Sequence, residues 1–443
     1  MSAGAREISV YDRMCWPDGE LERALARGAH RLELMAYLGA SEYQTLSQLA
    51  QQAERTRRRS SKRVRGAAAA AAPTTVYLLP GILGSQLGRA RSATEPPDLL
   101  WLDPADIVAG RLLELRCAEA LESVAALQPL GAVVYSYLAL KLRLCAAGFN
   151  VIFHDYDWRA DLRTAAQALA LRLAADGSEQ LALVAHSMGG LLARSALTHY
   201  GQRAGAERIR RVVGIGVPHA GSIAAVQALR ATYPVVCRLA AIDRLHDVET
   251  LTRVVFRSFP SLYQMLPTLA GLDLFDPAQW PRGGSQPEPA LLHAARDFSA
   301  QLASADQRFV SLIGTGQRTV TGLAVRGEQF RYAISAAGDG TVAAACATLP
   351  GARNYSVRGE HSELPRSETV ALAVVDLLRR GHTRRLRAGV NARAGRSAFV
   401  SDNTLRRLLG GKRDWAAMSL TERRRYLRLL NAPPAAYRAR AKG

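Results

Sequence analysis

A chain of 443 residues, 48% hydrophobic and 22% charged, is long enough to bury a large core and too apolar to stay disordered. Its net charge of +20 is unevenly placed: residues 51–66 carry about +6 and residues 379–443 about +15, so the basicity marks two flanking segments around a nearly neutral body. Five cysteines, odd in number, scattered and without CxxC spacing, argue for reduced thiols and against a disulfide framework or a zinc site.

The N-terminus shows no basic stretch followed by an apolar one, and Asp12, Asp18, Glu20 and Glu22 stand where the apolar stretch would lie. No run approaches about 18 uninterrupted apolar residues, so no membrane-spanning helix is read and a cytoplasmic location is the expectation. Residues 19–55 read as helix, with Leu21, Leu25, His30, Leu32, Leu34 and Leu38 at roughly helical spacing. The run from Arg57 to Arg63 and the alanines before Pro73 then mark a boundary, which sets residues 1–72 apart as a helical N-terminal extension.

From Thr75 short apolar strands alternate with amphipathic helices. Val76–Leu79, Asn150–Phe153, Leu181–Ala185, Val212–Val217 and Phe309–Ile313 are the predicted strands, with helices near 134–147, 161–175 and 188–200. This alternation predicts an α/β fold with a mainly parallel sheet covered on both faces, over residues 73–380. Between about 222 and 305 it lapses into apolar, proline-containing, mostly helical sequence, as expected of a cap inserted over the sheet edge where ligands bind. After Arg380 the chain becomes arginine-rich, and residues 381–443 are set apart as a basic C-terminal extension. The basic ends read equally as base composition or as contact with an anionic surface: peripheral contact with an anionic membrane is the partner they suggest, and nucleic acid is the weaker one.

The strongest local signal is Leu181-Ala-Leu-Val-Ala185-His186-Ser187-Met188-Gly189-Gly190, an apolar strand that runs through a serine into a helix. A nucleophile elbow needs this layout, because the serine occupies a strained turn and only small residues two positions either side let the backbones approach. Ala185 in place of glycine makes it a variant by one methyl group. The motif predicts the α/β-hydrolase fold with Ser187 as nucleophile.

A serine hydroxyl is a weak nucleophile unless a base and an orienting carboxylate follow, in this fold in the order Ser, Asp, His. His293, His361 and His382 are the histidines that follow a plausible acid. Asp339 sits between glycines in Gly338-Asp-Gly-Thr-Val342 after the apolar run Phe330–Ile334, and His361 follows the short strand Tyr355–Val357, so both fall at the edge where Ser187 emerges. The tetrahedral oxyanion also needs amide donors: Met188, next to the serine, supplies one, and Ile82, in the glycine-containing loop Leu79-Pro-Gly-Ile-Leu-Gly-Ser85, the other. No lysine followed by Ser or Thr succeeds those glycines, so a phosphate loop is the poorer reading. No cofactor or metal is called for.

With these motifs on the page, the sequence resembles the lecithin:cholesterol acyltransferase family, particularly its bacterial members. The resemblance is carried by Pro80-Gly-Ile-Leu-Gly-Ser85, Tyr156-Asp-Trp-Arg159, Ala185–Gly190, Gly216-Val-Pro-His-Ala-Gly-Ser222, Phe259–Pro267 and Gly338–Val342, in family order across about residues 75–375. It implies an acyl-enzyme on Ser187, Asp339 orienting His361 as base, and an oxyanion donor at Ile82. Asp157 precedes the serine and so breaks the expected order; with Arg159 it is expected to brace loops around the pocket. Trp101–Cys117 shows no cysteine pair of the kind extracellular members carry near their gating loop, which argues against a lipoprotein or lysosomal setting and against cholesterol as acceptor. The reading is a lipase- or phospholipase-type hydrolase acting on a lipid or other ester, able to pass the acyl group to an alcohol. A polyester or small-ester esterase with the same residues is the alternative, and an inactive scaffold that binds anionic membrane or nucleic acid is the alternative of another class.

Overall fold

The computed structural model describes residues 11–16, 19–66, 73–91, 94–117, 127–200, 205–390, 397–434 and 437; the alanine run at the first boundary lies outside them. Seven strands form the central sheet: β1 (Thr75–Leu79), β2 (Asn150–Phe153), β3 (Leu181–His186), β4 (Ile209–Ile215), β5 (Phe309–Thr315), β6 (Arg353–Arg358) and β7 (Arg387–Ala388), in the order β7-β6-β5-β4-β3-β1-β2. All neighbours pair parallel except the antiparallel edge pair β6–β7.

Both faces of this sheet are buried, which is why its strands read as unbroken apolar runs. Successive side chains point to opposite faces. Val76, Leu78, Ala182, Val184, Val213 and Ile215 accordingly pack with Leu140 and Leu144 of helix Val134–Ala146 and Val370, Val374 and Leu377 of helix Glu368–Arg380. Tyr77, Leu79, Leu181, Leu183 and Ala185 face the other way, with Leu169 and Leu173 of helix Leu162–Ala175 and Leu192 and Ala196 of helix Met188–Tyr200. Each buried Val, Leu or Ile among these contributes about 1.5–3 kcal/mol. The parallel strands put the C-terminal ends of β1, β3, β4, β5 and β6 on one edge. This is the α/β-hydrolase architecture, and it gathers the loops after those strands into one place.

The helix expected over 19–55 is three helices, Glu20–Arg27, Arg31–Leu38 and Ala40–Gly66. Gly28 and Gly39 have φ of 72° and 89°, a backbone that glycine adopts without a side-chain clash, and each ends a helix. Apolar spacing alone passes over both breaks. Leu21, Leu25, Leu34 and Leu46 from these helices pack on Leu138 and Leu142 of helix Val134–Ala146, so this segment is fastened to one of the helices that cover the central sheet.

The run Phe330–Ile334 belongs to strand Gln329–Ser335, outside the central sheet. It pairs antiparallel with Thr319–Arg326 and with Ala398–Ser401 in a separate three-stranded sheet. The segment between 222 and 305, expected as a cap and so named, holds short helices, among them Ile223–Leu229, Pro234–Ile242 and Pro289–Ala295.

Charge sets residues 381–443 apart, yet their described part is packed. Ala398–Ser401 extends the small sheet, and Leu405, Trp415, Leu427, Leu430 and Tyr437 join the main core. Arg230 of the cap and Asp402, both fully buried, are 2.9 Å apart. Several arginines that look like tail charge hold backbone carbonyls instead: Arg423 Nε donates to Trp415 O and Arg424 Nε to Ala36 O, at 3.0 and 3.1 Å. No helix among the described residues is long and apolar enough to cross a membrane.

Candidate active site

β3 ends at His186 and helix Met188–Tyr200 begins one residue after Ser187, which has φ of 53°. A left-handed backbone at a non-glycine residue costs about 1–2 kcal/mol and persists where its surroundings enforce it. Here Ser187 N–H donates to Ile215 O on β4, and Gly190 N–H to Ser187 O, both at 2.9 Å. A methyl group at Gly189 would lie 2.5 Å from Pro80 O, and one at Gly190 2.2 Å from Val217 Cγ2, so the small residues after the serine are sterically required. Ala185 is fully buried and its single methyl is accommodated.

The structure brings Ser187, His361 and Asp339 together from the loops after β3, β6 and the small sheet. His361 Nε2 lies 2.9 Å from Ser187 Oγ, and His361 Nδ1 lies 2.7 Å from Asp339 Oδ2. A carboxylate only accepts, so Nδ1 carries the ring proton and Nε2 is left to accept from the serine hydroxyl. Asp339 Oδ1 accepts from Thr341 N–H and Val342 N–H at 3.0 and 2.7 Å, and His361 N–H donates to Asp339 O at 2.9 Å. Two amides therefore fix one carboxylate oxygen and leave the other for the histidine ring, while the backbone of Asp339 holds the backbone of His361. Room for the pair is made by Gly216 and Gly314: a methyl at Gly216 would lie 3.2 Å from both Asp339 Oδ2 and His361 Nδ1, and one at Gly314 2.5 Å from Asp339 Cβ.

The loop after β1 closes over the serine. Gly84 N–H donates to Gly81 O at 3.0 Å, a turn that carries Ile82, and a methyl at Gly81 would lie 2.8 Å from Ser187 Cβ. Met188 opens its helix, where the first amides lack intrahelical acceptors. The other residues singled out in the sequence stand apart. Asp157 binds Arg159 Nε and Nη2 at 2.9 and 2.7 Å, while Arg159 Nη1 reaches Leu115 O at 2.9 Å. His293 lies on the cap helix Pro289–Ala295, and His382 bonds Arg380 O after the last helix of the body.

Ser187 and His361 form part of the wall of a largely apolar cavity of about 140 Å³. Ile82, Leu83 and Trp101 line one side, and Ala225, Val235, Leu262 and Met265 of the cap another. Leu427, Leu430 and Asn431 of the C-terminal segment complete it, and Tyr233 Oη donates to Asn431 Oδ1 across the cap. Among the described residues, no group of carboxylates, histidines and cysteines could hold a metal ion.

Three histidines shielded from water set an acid limit on stability; in one of them, His219, burial and then Arg194 push the pKa down to about 3. Burial pushes His186 well below the ordinary histidine range, with His361 beside it adding to the shift; burial, and then Arg172, push His154 down to about 4. The folded state thus refuses a proton that the unfolded chain takes up below pH 6.5, so stability is full above that value and lost as pH falls toward each folded pKa. Between pH 7 and 5.5 each histidine is expected to withdraw about 1 kcal/mol. Urea midpoints at the two pH values check this; equal midpoints would contradict it.

Sequence reasoning named Ser187, Asp339, His361, Ile82 and Met188, and these stand together. It passed over the space-making role of Gly216, although the glycine heads one of the quoted motifs, and over Gly314, which ends an apolar strand without any local signal. It also missed Leu427, Leu430 and Asn431, which reach the cavity from more than 200 residues beyond the serine.

A family model described as "Lecithin:cholesterol acyltransferase" matches residues 113–346. No curated protein matches the chain. Among solved structures, the mature form of the Bacillus licheniformis lipase BlEst2 is similar at 17% identity, covering 71% of this chain and 94% of that one, with a TM-score of 0.35. The Tle4-Tli4 complex is similar at 16% identity, with 69% and 98% covered and a TM-score of 0.40. The metagenomic carboxyl esterase MGS0156 is similar at 14% identity, with 67% and 66% covered and a TM-score of 0.31.

Proposed function

Because this chain belongs to the lecithin:cholesterol acyltransferase family, we propose that it is a serine acyl-ester hydrolase of lipase or phospholipase type, with Ser187 as nucleophile, His361 as general base and Asp339 as the carboxylate that orients the base. The observation that carries this reading is the unbroken hydrogen-bond run from Asp339 through His361 to Ser187, on the wall of an apolar cavity.

In the first half-reaction His361 Nε2 takes the Ser187 proton as Oγ bonds to the ester carbonyl carbon, and the carbonyl oxygen becomes an oxyanion. The amides of Ile82 and Met188 receive that charge, each donor worth about 3 kcal/mol in the transition state. Collapse breaks the bond to the alcohol, which leaves with the proton held by His361. Water then attacks the acyl-enzyme by the same proton path and regenerates Ser187. An alcohol that enters in place of water carries the acyl group away as a new ester, so added long-chain alcohol is expected to divert part of the product from acid to ester. The cavity wall on the side of Ala225, Val235, Leu262 and Met265 is apolar, which favours an acyl chain as the buried part of the substrate.

Hydrolysis of p-nitrophenyl esters of graded chain length tests the proposal. The wild-type protein is expected to hydrolyse them with a preference for acyl chains longer than acetate, and Ser187→Ala to lose at least about 10³-fold in kcat. Equal rates for the two proteins would sink the assignment, and a preference for acetate would move the substrate to a small ester.

A further inference from the structure

Beside the nucleophile, in the wall of the cavity, two side chains that the proposed chemistry does not use form a one-way hydrogen-bond chain. Gly81 N–H donates to Tyr137 Oη at 3.0 Å; Tyr137 Oη and His186 Nδ1 are 2.9 Å apart; His186 Nε2 and the backbone oxygen of His361 are 3.1 Å apart. Its direction follows from the two ends. A carbonyl only accepts, so His186 Nε2 carries the proton, and its Nδ1 is left as an acceptor for the Tyr137 hydroxyl. The Tyr137 oxygen is then free to accept from Gly81, so every member is satisfied by one arrangement of protons, and tyrosine and histidine are both buried.

This chain has a particular address. Gly81 precedes Ile82 in the loop over Ser187, His186 precedes Ser187, and His361 is the base. His361 is thereby held by its backbone at both ends, its N–H on Asp339 O at 2.9 Å and its C=O by His186. The two imidazole rings lie 4.8 Å apart between centroids, and the Tyr137 and His186 rings meet edge-on at 5.7 Å. Burial keeps the phenol protonated and the His186 ring neutral, the states the chain requires.

We propose that Tyr137 and His186 are positioning residues that lock the loop bearing the Ile82 amide and the base His361 into register around Ser187. Both border the cavity, and each acts through a backbone group, Gly81 N–H for Tyr137 and His361 C=O for His186. The inference rests on the hydrolase reading above. Loosening this lock misplaces the oxyanion donor and the base by a fraction of an ångström, an error expressed in the transition state and not in substrate binding.

The test compares wild type, Tyr137→Phe and His186→Asn on a p-nitrophenyl ester and on an alkylboronic acid, whose tetrahedral serine adduct mimics the oxyanion. Tyr137→Phe deletes the central hydroxyl while keeping the ring. His186→Asn keeps an acceptor for Tyr137, while its NH₂, on a shorter side chain than the imidazole Nε2, falls short of His361 O, so it breaks the far half of the chain alone. Each variant is expected to lose about 10–100-fold in kcat with KM unchanged within about threefold, and to bind the boronic acid more weakly by a similar factor. Circular dichroism and thermal midpoints identify a variant that fails to fold; the other variant then carries the test. A folded variant with kcat within twofold of wild type, or with a loss confined to KM, overturns the proposal. Wild type inactive on every ester overturns the hydrolase reading, and this inference with it, whereas an active wild type with indifferent variants overturns this inference alone.

Discussion

Asp339→Asn is expected to lower kcat by about 10³–10⁴-fold while leaving the fold and KM nearly unchanged. The reason lies in the two sides of the carboxylate. Oδ1 accepts from the amides of Thr341 and Val342, so the asparagine oxygen must take that place and its NH₂ must turn to His361 Nδ1. A donor there forces the ring proton onto Nε2, where it faces Ser187 Oγ and the histidine can no longer take the serine proton. Steady-state kinetics with a thermal midpoint for each protein measure the effect. A loss below tenfold in a folded variant would mean that Asp339 does not set the tautomer of His361.

The second large effect concerns stability. Asp402→Ala is expected to cost about 3–5 kcal/mol, because it leaves the buried Arg230 guanidinium without its counter-charge. The carboxylate also accepts from Tyr332 Oη at 2.6 Å and Phe330 N–H at 3.0 Å, both of which lose their partner. Arg230 keeps Pro281 O, Ser285 O and Gly283 O, acceptors without charge to match its own. The double replacement Arg230→Met with Asp402→Leu removes both charges and is expected to be less damaging than Asp402→Ala alone. Urea midpoints of the three proteins decide the point. An Asp402→Ala midpoint within error of wild type would show that residues after 397 are dispensable to the core, against the packing of Leu405, Leu427 and Leu430.

The elements nearest the chemistry were the most legible in sequence. A strand that becomes a helix through a serine, an acid between glycines and a histidine after the next strand are local patterns, and their order along the chain supplied what each lacked alone. Apolar runs identify strands without identifying sheets, so Gln329–Ser335 read as support for Asp339 although it pairs with Thr319–Arg326 and Ala398–Ser401. Net charge says nothing of packing, because it counts arginines without regard to what they hold: among the described residues after 397, Arg423 and Arg424 donate to backbone carbonyls. Gly28 and Gly39 broke a helix whose apolar spacing continued across them. The Tyr137–His186 chain joins positions far apart in sequence, and neither residue type announces a role from its neighbours.

Labelling with an alkyl fluorophosphonate, read by intact mass and by the modified peptide, tests the central claim most directly. The account predicts one adduct per chain on the peptide that contains Ser187, slowed strongly in Asp339→Asn and absent in Ser187→Ala. A folded wild-type protein that takes no label, or takes it equally after Ser187→Ala, would contradict it.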